Sequence, residues 1–123
     1  MEMVRTSLDE RVVGGRSFWF AAHRAPSPRP TATAHLLPNY DEYTVGYRDP
    51  TDVFDVANLD RLVFNHILIL QGVVAGTWRR ALTRDSVRIE TKPFRRLIEA
   101  DRAAVTAAAR RYAAFLGVSV TLA

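Results

Sequence analysis

The sequence predicts an α+β fold, namely an antiparallel, barrel-like sheet of short strands with one short helix and a C-terminal helix. Three observations lead to this prediction. Short apolar segments bounded by turn residues recur along the chain, as in a meander of strands. A helical hydrophobic period is clear only near the C-terminus. The length of 123 residues suits one domain, which we assign to residues 1–123.

The strands are expected where apolar segments end at turn residues. Gly14-Gly15 is the clearest turn, because glycine readily takes the positive φ angles of a tight hairpin. Residues 25–30 hold three prolines and predict an extended loop, and Pro38 ends a short apolar step at 35–37. The predicted strands are the two arms of the hairpin at 11–20, a meander at 66–70, 73–78 and 87–92, and a last strand at 118–122.

One short helix is expected after Pro38. Asn39 has the side chain of an N-cap, and Glu42 stands three positions on as a capping-box partner. The acidic stretch at 49–60 has no clear period and is expected to be loop. Three tyrosines would share one face of this helix, and they are Tyr40, Tyr43 and Tyr47. Such a face usually packs into a core, although exposed rings could stack unpaired bases.

The C-terminal helix is expected from Glu99 to Leu116. Acidic residues in its first turn suit the positive end of the helix dipole, and Gly117 is well placed to end it. One apolar stripe would bury this helix against the sheet. The stripe consists of Val105, Ala108, Tyr112, Phe115 and Leu116.

Charge is distributed unevenly along the chain. Residues 1–60 carry a net charge of −3 and residues 61–123 a net charge of +7, and all but one of the 17 basic residues are arginines. Arginine makes bidentate contacts to phosphates and guanine edges. An arginine-rich genome would explain the choice of arginine over lysine, but not the asymmetry. The C-terminal half is therefore the candidate for contact with an anionic partner.

Several kinds of protein and site are disfavoured. Without cysteine the chain has neither disulfides nor thiolate metal sites, and without a run of about 18 apolar residues it is not expected to span a membrane. We therefore predict a soluble, cytoplasmic protein that needs no cofactor. A zinc site is also not expected, because the histidines lack the short spacings of zinc ligands. The histidines are His23, His35 and His66.

Three groups of residues, taken in order, resemble the end of a known family. They are HLLPNYDEY at 35–43 with GYRD at 46–49, the segment 72–80 containing GTWRR, and KPF at 92–94 followed by RYAAFLG at 111–117. In order and spacing they are similar to the C-terminal part of the winged-helix DNA-binding family that includes the AlkZ-like DNA glycosylases. The resemblance covers nearly the whole chain, but only the last part of a typical family member.

This resemblance implies a DNA-binding domain that lacks an active site. Full-length members combine tandem winged helices with a barrel-like domain, and the characterised enzymes excise alkylated bases with a Gln-x-Gln or Gln-x-Asp pair near the N-terminus. Gln71 is the one glutamine here, and Gly72-Val73 follows it, so neither pattern is met. We expect the catalytic part to be absent. Members also often place Thr or Ser where Ile98 stands, and a lost N-cap costs about 1 kcal/mol.

The candidate binding residues are four arginines that follow Trp78. On a strand Trp78 would point inward and Arg79 outward, because successive side chains alternate between faces. We predict weak, sequence-independent contacts to DNA phosphates. The residues assigned to these contacts are Arg79, Arg80, Arg84 and Arg88. An ordinary solvated surface is the alternative interpretation of the same residues.

Three functions remain open from the sequence. The first is a non-catalytic DNA-binding accessory or C-terminal module of a winged-helix, AlkZ-like DNA-repair protein, with winged-helix domains supplied in cis or in trans. The second is a free-standing interaction or scaffold module for a protein partner. The third is a small enzyme that uses Asp41 or Glu42, although these residues suit a helix start equally well. We also expect the isolated chain to self-associate or to need a partner, because a short sheet and two helices would leave some apolar surface uncovered. The candidates for that surface are Phe18, Phe20, Tyr40, Tyr47 and the Leu36-Leu37 step.

Overall fold

The computed structural model describes residues 8–21, 32–46, 51, 53, 57, 62 and 64–123. Within these residues the chain forms seven strands and two helices, which confirms the predicted α+β class. The loop at 25–30, His23, Tyr47 and most of the stretch 49–60 lie outside the described residues. In chain order the elements are β1 (Leu8–Val13), β2 (Arg16–Ala21), β3 (Ala34–Leu37), α1 (Glu42–Val45), β4 (His66–Leu70), β5 (Val73–Leu82), β6 (Ser86–Pro93), α2 (Glu99–Leu116) and β7 (Ser119–Leu122).

Five strands form one sheet in the order β3-β4-β5-β6-β7, and this sheet curls into half a barrel. Strands β3 to β6 pair antiparallel, so the predicted meander is present as β4-β5-β6. The last pair differs from the prediction, because β7 runs parallel to β6. The helix between them explains the difference, since α2 carries the chain back to the end of the sheet where β6 begins. The sheet is therefore mixed rather than wholly antiparallel.

One face of the sheet is covered by α2, and we call it the helix side. Alternate positions of the strands contact the small residues of the helix, as expected for strands with one buried face. Leu68, Val87 and Ile89 are fully buried there. The sheet contributes Ala34, Leu68, Leu70, Trp78, Val87 and Ile89, and the helix contributes Ala104, Val105, Ala108, Ala109 and Ala113.

The residues that the structure describes cover the opposite face of the sheet only over β3, β4 and the start of β5. A second apolar cluster lies there, built from Leu62, Ile67, Ile69 and Val74, with Leu37, Tyr43, Val53 and Phe94 packed against it. The rest of this face, on the later part of β5 and on β6 and β7, carries mainly polar side chains. Within the described residues, the sheet is therefore packed on both faces at β3 and β4, but only on the helix side at β6 and β7.

Strands β5 and β6 approach each other closely at Gly76. Ala75 is the extra residue of a β-bulge between β4 and β5, where the register shifts. At Gly76, which is buried, a Cβ atom would lie 2.5 Å from the Lys92 carbonyl oxygen and 2.6 Å from the Pro93 Cα. Both of these atoms belong to the β6 backbone. Glycine is therefore required at this position by the close approach of two strands.

The long helix α2 begins and ends at the predicted residues, Glu99 and Leu116. Its N-cap, Ile98, has no side-chain acceptor, and the Asp101 carboxylate accepts the Ile98 N–H at 3.4 Å instead. Gly117 ends the helix with a φ of 70°, as expected. Phe115 was wrongly assigned to the buried stripe, because it is 86% exposed. It lies two residues after buried Ala113, which turns it about 200° around the helix, away from the sheet. No described helix combines the length and the apolar character needed to cross a membrane.

The short helix α1 starts later than predicted. Asp41, not Asn39, is its N-cap, and the Asp41 carboxylate accepts the Tyr43 N–H at 3.0 Å. Tyr40 has a φ of 60°, which is incompatible with a right-handed helical turn. Tyr40 therefore shares no helical face with Tyr43, contrary to the prediction. Tyr43 packs against the second apolar cluster, and its hydroxyl donates to the Gly72 carbonyl at 2.6 Å.

The N-terminal hairpin forms a sheet of its own. Strands β1 and β2 pair antiparallel, and Gly14 and Gly15 take φ angles of 57° and 77° in the predicted tight turn. Apart from Leu8, which is half-buried, every hairpin residue is exposed. The Arg11 guanidinium lies 5.7 Å from the centre of the Phe20 ring. Among the described residues, the aromatic side chains of the hairpin thus stay 42–47% exposed.

Candidate nucleic-acid interface

The predicted arginines lie on β5, on β6 and in the turn between them. In the antiparallel register Arg79 is opposite Glu90, and Arg80 is opposite Ile89. Because neighbouring residues of a strand alternate between faces, Arg79 lies on the uncovered face and Arg80 on the helix side. Trp78 is buried. The predicted orientation, with Trp78 inward and Arg79 outward, is therefore confirmed.

The uncovered part of the sheet concentrates positive charge. We call it the polar face, and it consists of Arg79, Ala81, Ser86, Arg88, Glu90, Lys92, Ser119 and Thr121. It carries three cations and one carboxylate. The parallel register brings Thr121 beside Arg88, so hydroxyl donors flank the charged groups. Such a set of donors can bind anionic oxygen atoms.

Glu90 holds two of the arginines in place. Its Oε2 accepts from the Arg79 guanidinium, and its Oε1 lies 3.3 Å from the Arg88 Nε. The hydrogen bond from Arg79 lowers the pKa of Glu90 most, and the charges of Arg79, Arg88 and Lys92 lower this pKa further against the opposing effect of partial burial. Glu90 is therefore ionised at neutral pH. The side chains of Arg79 and Arg88 stay 67% and 60% exposed, so N–H groups remain for a ligand.

The other two predicted arginines are separated from this pair. Arg80, on the helix side, extends its guanidinium over the Tyr112 ring at 5.5 Å from the ring centre. Arg84 is exposed in the turn that joins β5 to β6. Of the four residues, the structure brings together Arg79 and Arg88, with Arg84 at the adjoining turn. The strict alternation along β5 already assigns Arg80 to the other face.

Two residues of the polar face were missed as parts of the candidate site. Glu90 joins the arginines, and Lys92 adds a third cation on the same face. The signal for both was the alternation along β6, which turns residues 88, 90 and 92 to one side. That alternation alone places Glu90 and Lys92 on the face of Arg88, but the contact of Glu90 with Arg79 requires the register between β5 and β6.

The acidic pair in the tyrosine-rich segment has a structural place. The carboxylate of Asp41 caps α1, and Glu42 is exposed in the first turn. The sequence predicted a cap formed by Asn39 and Glu42, whereas the side-chain acceptor of the cap is Asp41. Among the residues that the structure describes, no group of three or more His, Asp and Glu side chains could hold a metal ion.

Comparison with protein families is decisive for the relationship. The family described as DNA glycosylase AlkZ-like matches residues 1–115. The chain belongs to the AlkZ-like DNA glycosylase family. The family link expected from three short segments is therefore confirmed. A comparison of the AlkZ-like chain with curated protein sequences gave no match.

A solved structure agrees with this assignment at the level of the fold. The AlkZ-like chain matches the Streptomyces sahachiroi DNA glycosylase AlkZ with a TM-score of 0.54 and 18% sequence identity. The match covers 99% of this chain and 35% of that chain, so the AlkZ-like chain spans about a third of its relative's length. At this identity the match shows a shared fold.

Proposed function

We propose that this AlkZ-like chain is a DNA-binding module of a winged-helix, AlkZ-like DNA-repair protein. The observation that carries the proposal is the polar face, where exposed Arg79 and Arg88 lie with Lys92 on a surface that the described helices and strands leave uncovered. In this role winged-helix domains, supplied in cis or in trans, perform base recognition and catalysis. The module adds contacts to the DNA backbone.

The polar face suits phosphates better than base edges. Its guanidinium groups project from a curled sheet, and no described element stands above that surface to enter a groove. Contacts to phosphates fix a protein on DNA but carry no sequence information. The Glu90 charge also offsets part of the positive charge of Arg79 and Arg88. Binding by this module is therefore weak and independent of sequence.

Duplex binding is expected to weaken steeply with salt. Three or four phosphate contacts give a slope of log K against log salt concentration of about −3, at about −0.9 per contact. Replacing Arg79 and Arg88 together by alanine should flatten this slope by about 2. Fluorescence anisotropy of a labelled duplex, titrated at several salt concentrations, measures both slopes.

Glu90→Gln is the matched variant for this measurement. The amide can still accept a hydrogen bond from Arg79, but the negative charge is removed, so duplex binding should tighten at low salt. Opposite effects of the Arg79/Arg88 and Glu90 changes would identify the polar face as the contact surface. An unchanged slope in the double arginine variant would show that DNA, if bound, contacts another surface.

The chain of residues 1–123 is expected not to excise alkylated bases by itself. Gln71 is its one glutamine and lies in the β4–β5 turn, so the glutamine pair expected from the family resemblance has no counterpart in this sequence. Incubation with an alkylated duplex, followed by cleavage of abasic sites, gives the measurement. Strand cleavage above background in two independent preparations would overturn this expectation. An active AlkZ-type glycosylase on the same duplex is the positive control.

A second candidate, a protein-contact or self-association role, is favoured by the hairpin. Phe18, Trp19 and Phe20 are each more than 40% exposed on a two-stranded sheet. Two-stranded sheets are marginally stable alone in water, and exposed apolar surface of this kind commonly marks an interface. The surface would take a winged-helix domain or a second copy of the chain, most simply about a two-fold axis.

Sedimentation equilibrium over a wide concentration range tests this candidate. We expect a mass above the 13.8 kDa of the monomer at high concentration. Replacing Phe18 and Phe20, which share one face of the hairpin, by serine should restore the monomer. Val12→Thr on the other face is the control and should leave association unchanged. A monomer at every concentration, without binding of a hydrophobic dye, would contradict the self-association role.

A further inference from the structure

We propose that Tyr40 and Phe64 form a stacking site for one unpaired nucleobase of single-stranded DNA. This assignment rests on the proposed DNA-binding function. It specifies that the two rings bind single-stranded DNA. The two rings lie edge to face, with centres 6.3 Å apart and planes at 80°. Both remain open to solvent, since Tyr40 is 62% exposed and Phe64 is 78% exposed.

Both residues have a positive backbone φ angle, which residues with large side chains rarely adopt. The φ angles are 60° at Tyr40 and 62° at Phe64. Such conformations persist only where the surrounding structure enforces them, and they cluster at functional sites. At Phe64 the following N–H, that of Asn65, donates to the Leu62 carbonyl at 3.1 Å and closes the turn. Because neither ring fills a core, packing alone does not account for these strained positions.

One hydrogen bond joins the chain segment at Tyr40 to the chain segment at Phe64. The Asn39 N–H donates to the His66 Nδ1 at 3.1 Å, which joins the residue before Tyr40 to the first residue of β4, two positions after Phe64. The His66 ring packs on the ring of buried Trp78, with centres 4.9 Å apart. The backbone segments that carry the two exposed rings are thus anchored to the core. A surface fixed in advance loses less conformational entropy when a ligand binds.

Cationic side chains occupy the same end of the sheet. Strand β4 begins at His66, which pairs with Trp78. Strand β5 therefore continues through Arg79 and Arg80 beyond the first residue of β4. Phe64, which precedes β4 in the chain, lies at this same end of the strand. The Arg79 side chain is 67% exposed, so a DNA strand that reaches this end of the sheet finds a guanidinium open to a phosphate. Rings beside cations are how proteins bind single strands without sequence preference.

An unpaired base fits these features better than a duplex or an apolar peptide. In a duplex both faces of each base are stacked on its neighbours, whereas an unpaired base offers a free face to an aromatic ring. An apolar partner would remove water from charged groups at this end of the sheet without offering them a hydrogen-bond acceptor, which is costly. A nucleotide supplies both a flat base for the rings and a phosphate for the arginines.

Single-stranded binding by ring variants tests the site. Phe64→Gly and Tyr40→Gly should each weaken binding of a single-stranded oligonucleotide about tenfold, from the known size of base stacking on one ring. Affinity for the duplex of the same sequence should not change. Quenching of 2-aminopurine in the oligonucleotide should also be lost, while Tyr40→Phe should keep both affinity and quenching. Thermal midpoints should not fall, because glycine adopts these φ angles without strain.

Asparagine at either position provides a second variant, because it also tolerates positive φ angles. Ring variants that bind single strands as tightly as the native chain would overturn the stacking site while duplex binding and its salt slope still support the proposed function. A chain that binds neither form of DNA would overturn both. Lower thermal midpoints with unchanged single-stranded binding, or altered self-association alone, would show that the rings contact protein rather than bases.

Discussion

Replacing Trp78 by alanine is expected to lower the free energy of unfolding by about 3–5 kcal/mol, the loss typical of a large buried aromatic side chain. The Trp78 ring is buried among residues of the sheet and of α2, and it meets the Tyr112 ring edge-on with centres 5.5 Å apart. Its Nε1–H donates to the Leu37 carbonyl of β3 at 2.8 Å, across β4. Alanine would leave a cavity and remove the donor for that carbonyl. Urea unfolding followed by far-ultraviolet circular dichroism measures the loss.

Two further variants separate the contributions of the Trp78 ring and its N–H group. Trp78→Phe keeps most of the ring but removes the donor, and should cost about 1–2 kcal/mol. Trp19→Ala changes the other tryptophan, which is exposed on the hairpin, and should cost about 1 kcal/mol or less. Equal losses for Trp78→Ala and Trp19→Ala would show that Trp78 is not a central part of the core. A loss of several kcal/mol would consume much of the stability of an ordinary domain.

Gly76→Ala is expected to destabilise the chain by about 3 kcal/mol, at the upper end of what excess core volume usually costs. The added Cβ would lie 2.5 Å from the Lys92 carbonyl oxygen and 2.6 Å from the Pro93 Cα. Backbone atoms cannot turn aside as a flexible side chain can. The β5–β6 pair would therefore have to separate at this point or lose its register. Thermal and urea unfolding of the purified variant would measure the change.

A control for Gly76→Ala is available on the same strand. Ala81→Ser adds one atom at an exposed position of β5 and should change stability by no more than about 0.5 kcal/mol. The Arg79 and Arg88 pair lies beyond Gly76 along the same two strands. A folded Gly76→Ala chain with native stability would show that β5 and β6 are farther apart than the structure indicates.

The strands and the long helix were predictable because each is encoded locally. Alternation places Val87 and Ile89 inward without knowledge of any partner, and Gly117 marks the helix end through its own conformational preference. The family resemblance also depended on short local segments. The α+β class and the meander followed from these features.

The remaining features depend on contacts between distant residues. Asn39 is a good N-cap by type, but its N–H binds His66, 27 positions away, and the chain bends at Tyr40 before the helix begins. The pairing of Arg79 with Glu90 similarly needs the β5–β6 register. Phe115 was misassigned because helical spacing alone predicts a wide apolar face. Which residues of that face are buried depends on the position of the sheet.

The parallel pairing of β7 with β6 has a consequence for the order of folding. The antiparallel pairs β4–β5 and β5–β6 join neighbours through short turns, so little chain entropy is lost when they close. Pairing of Ser119 with Ser86 instead encloses the whole of α2. We therefore expect the last strand to dock after α2 has packed on the meander, which amide exchange during refolding would test. It is also a four-residue edge strand, so its amide protons should be the first of the main sheet to exchange with solvent.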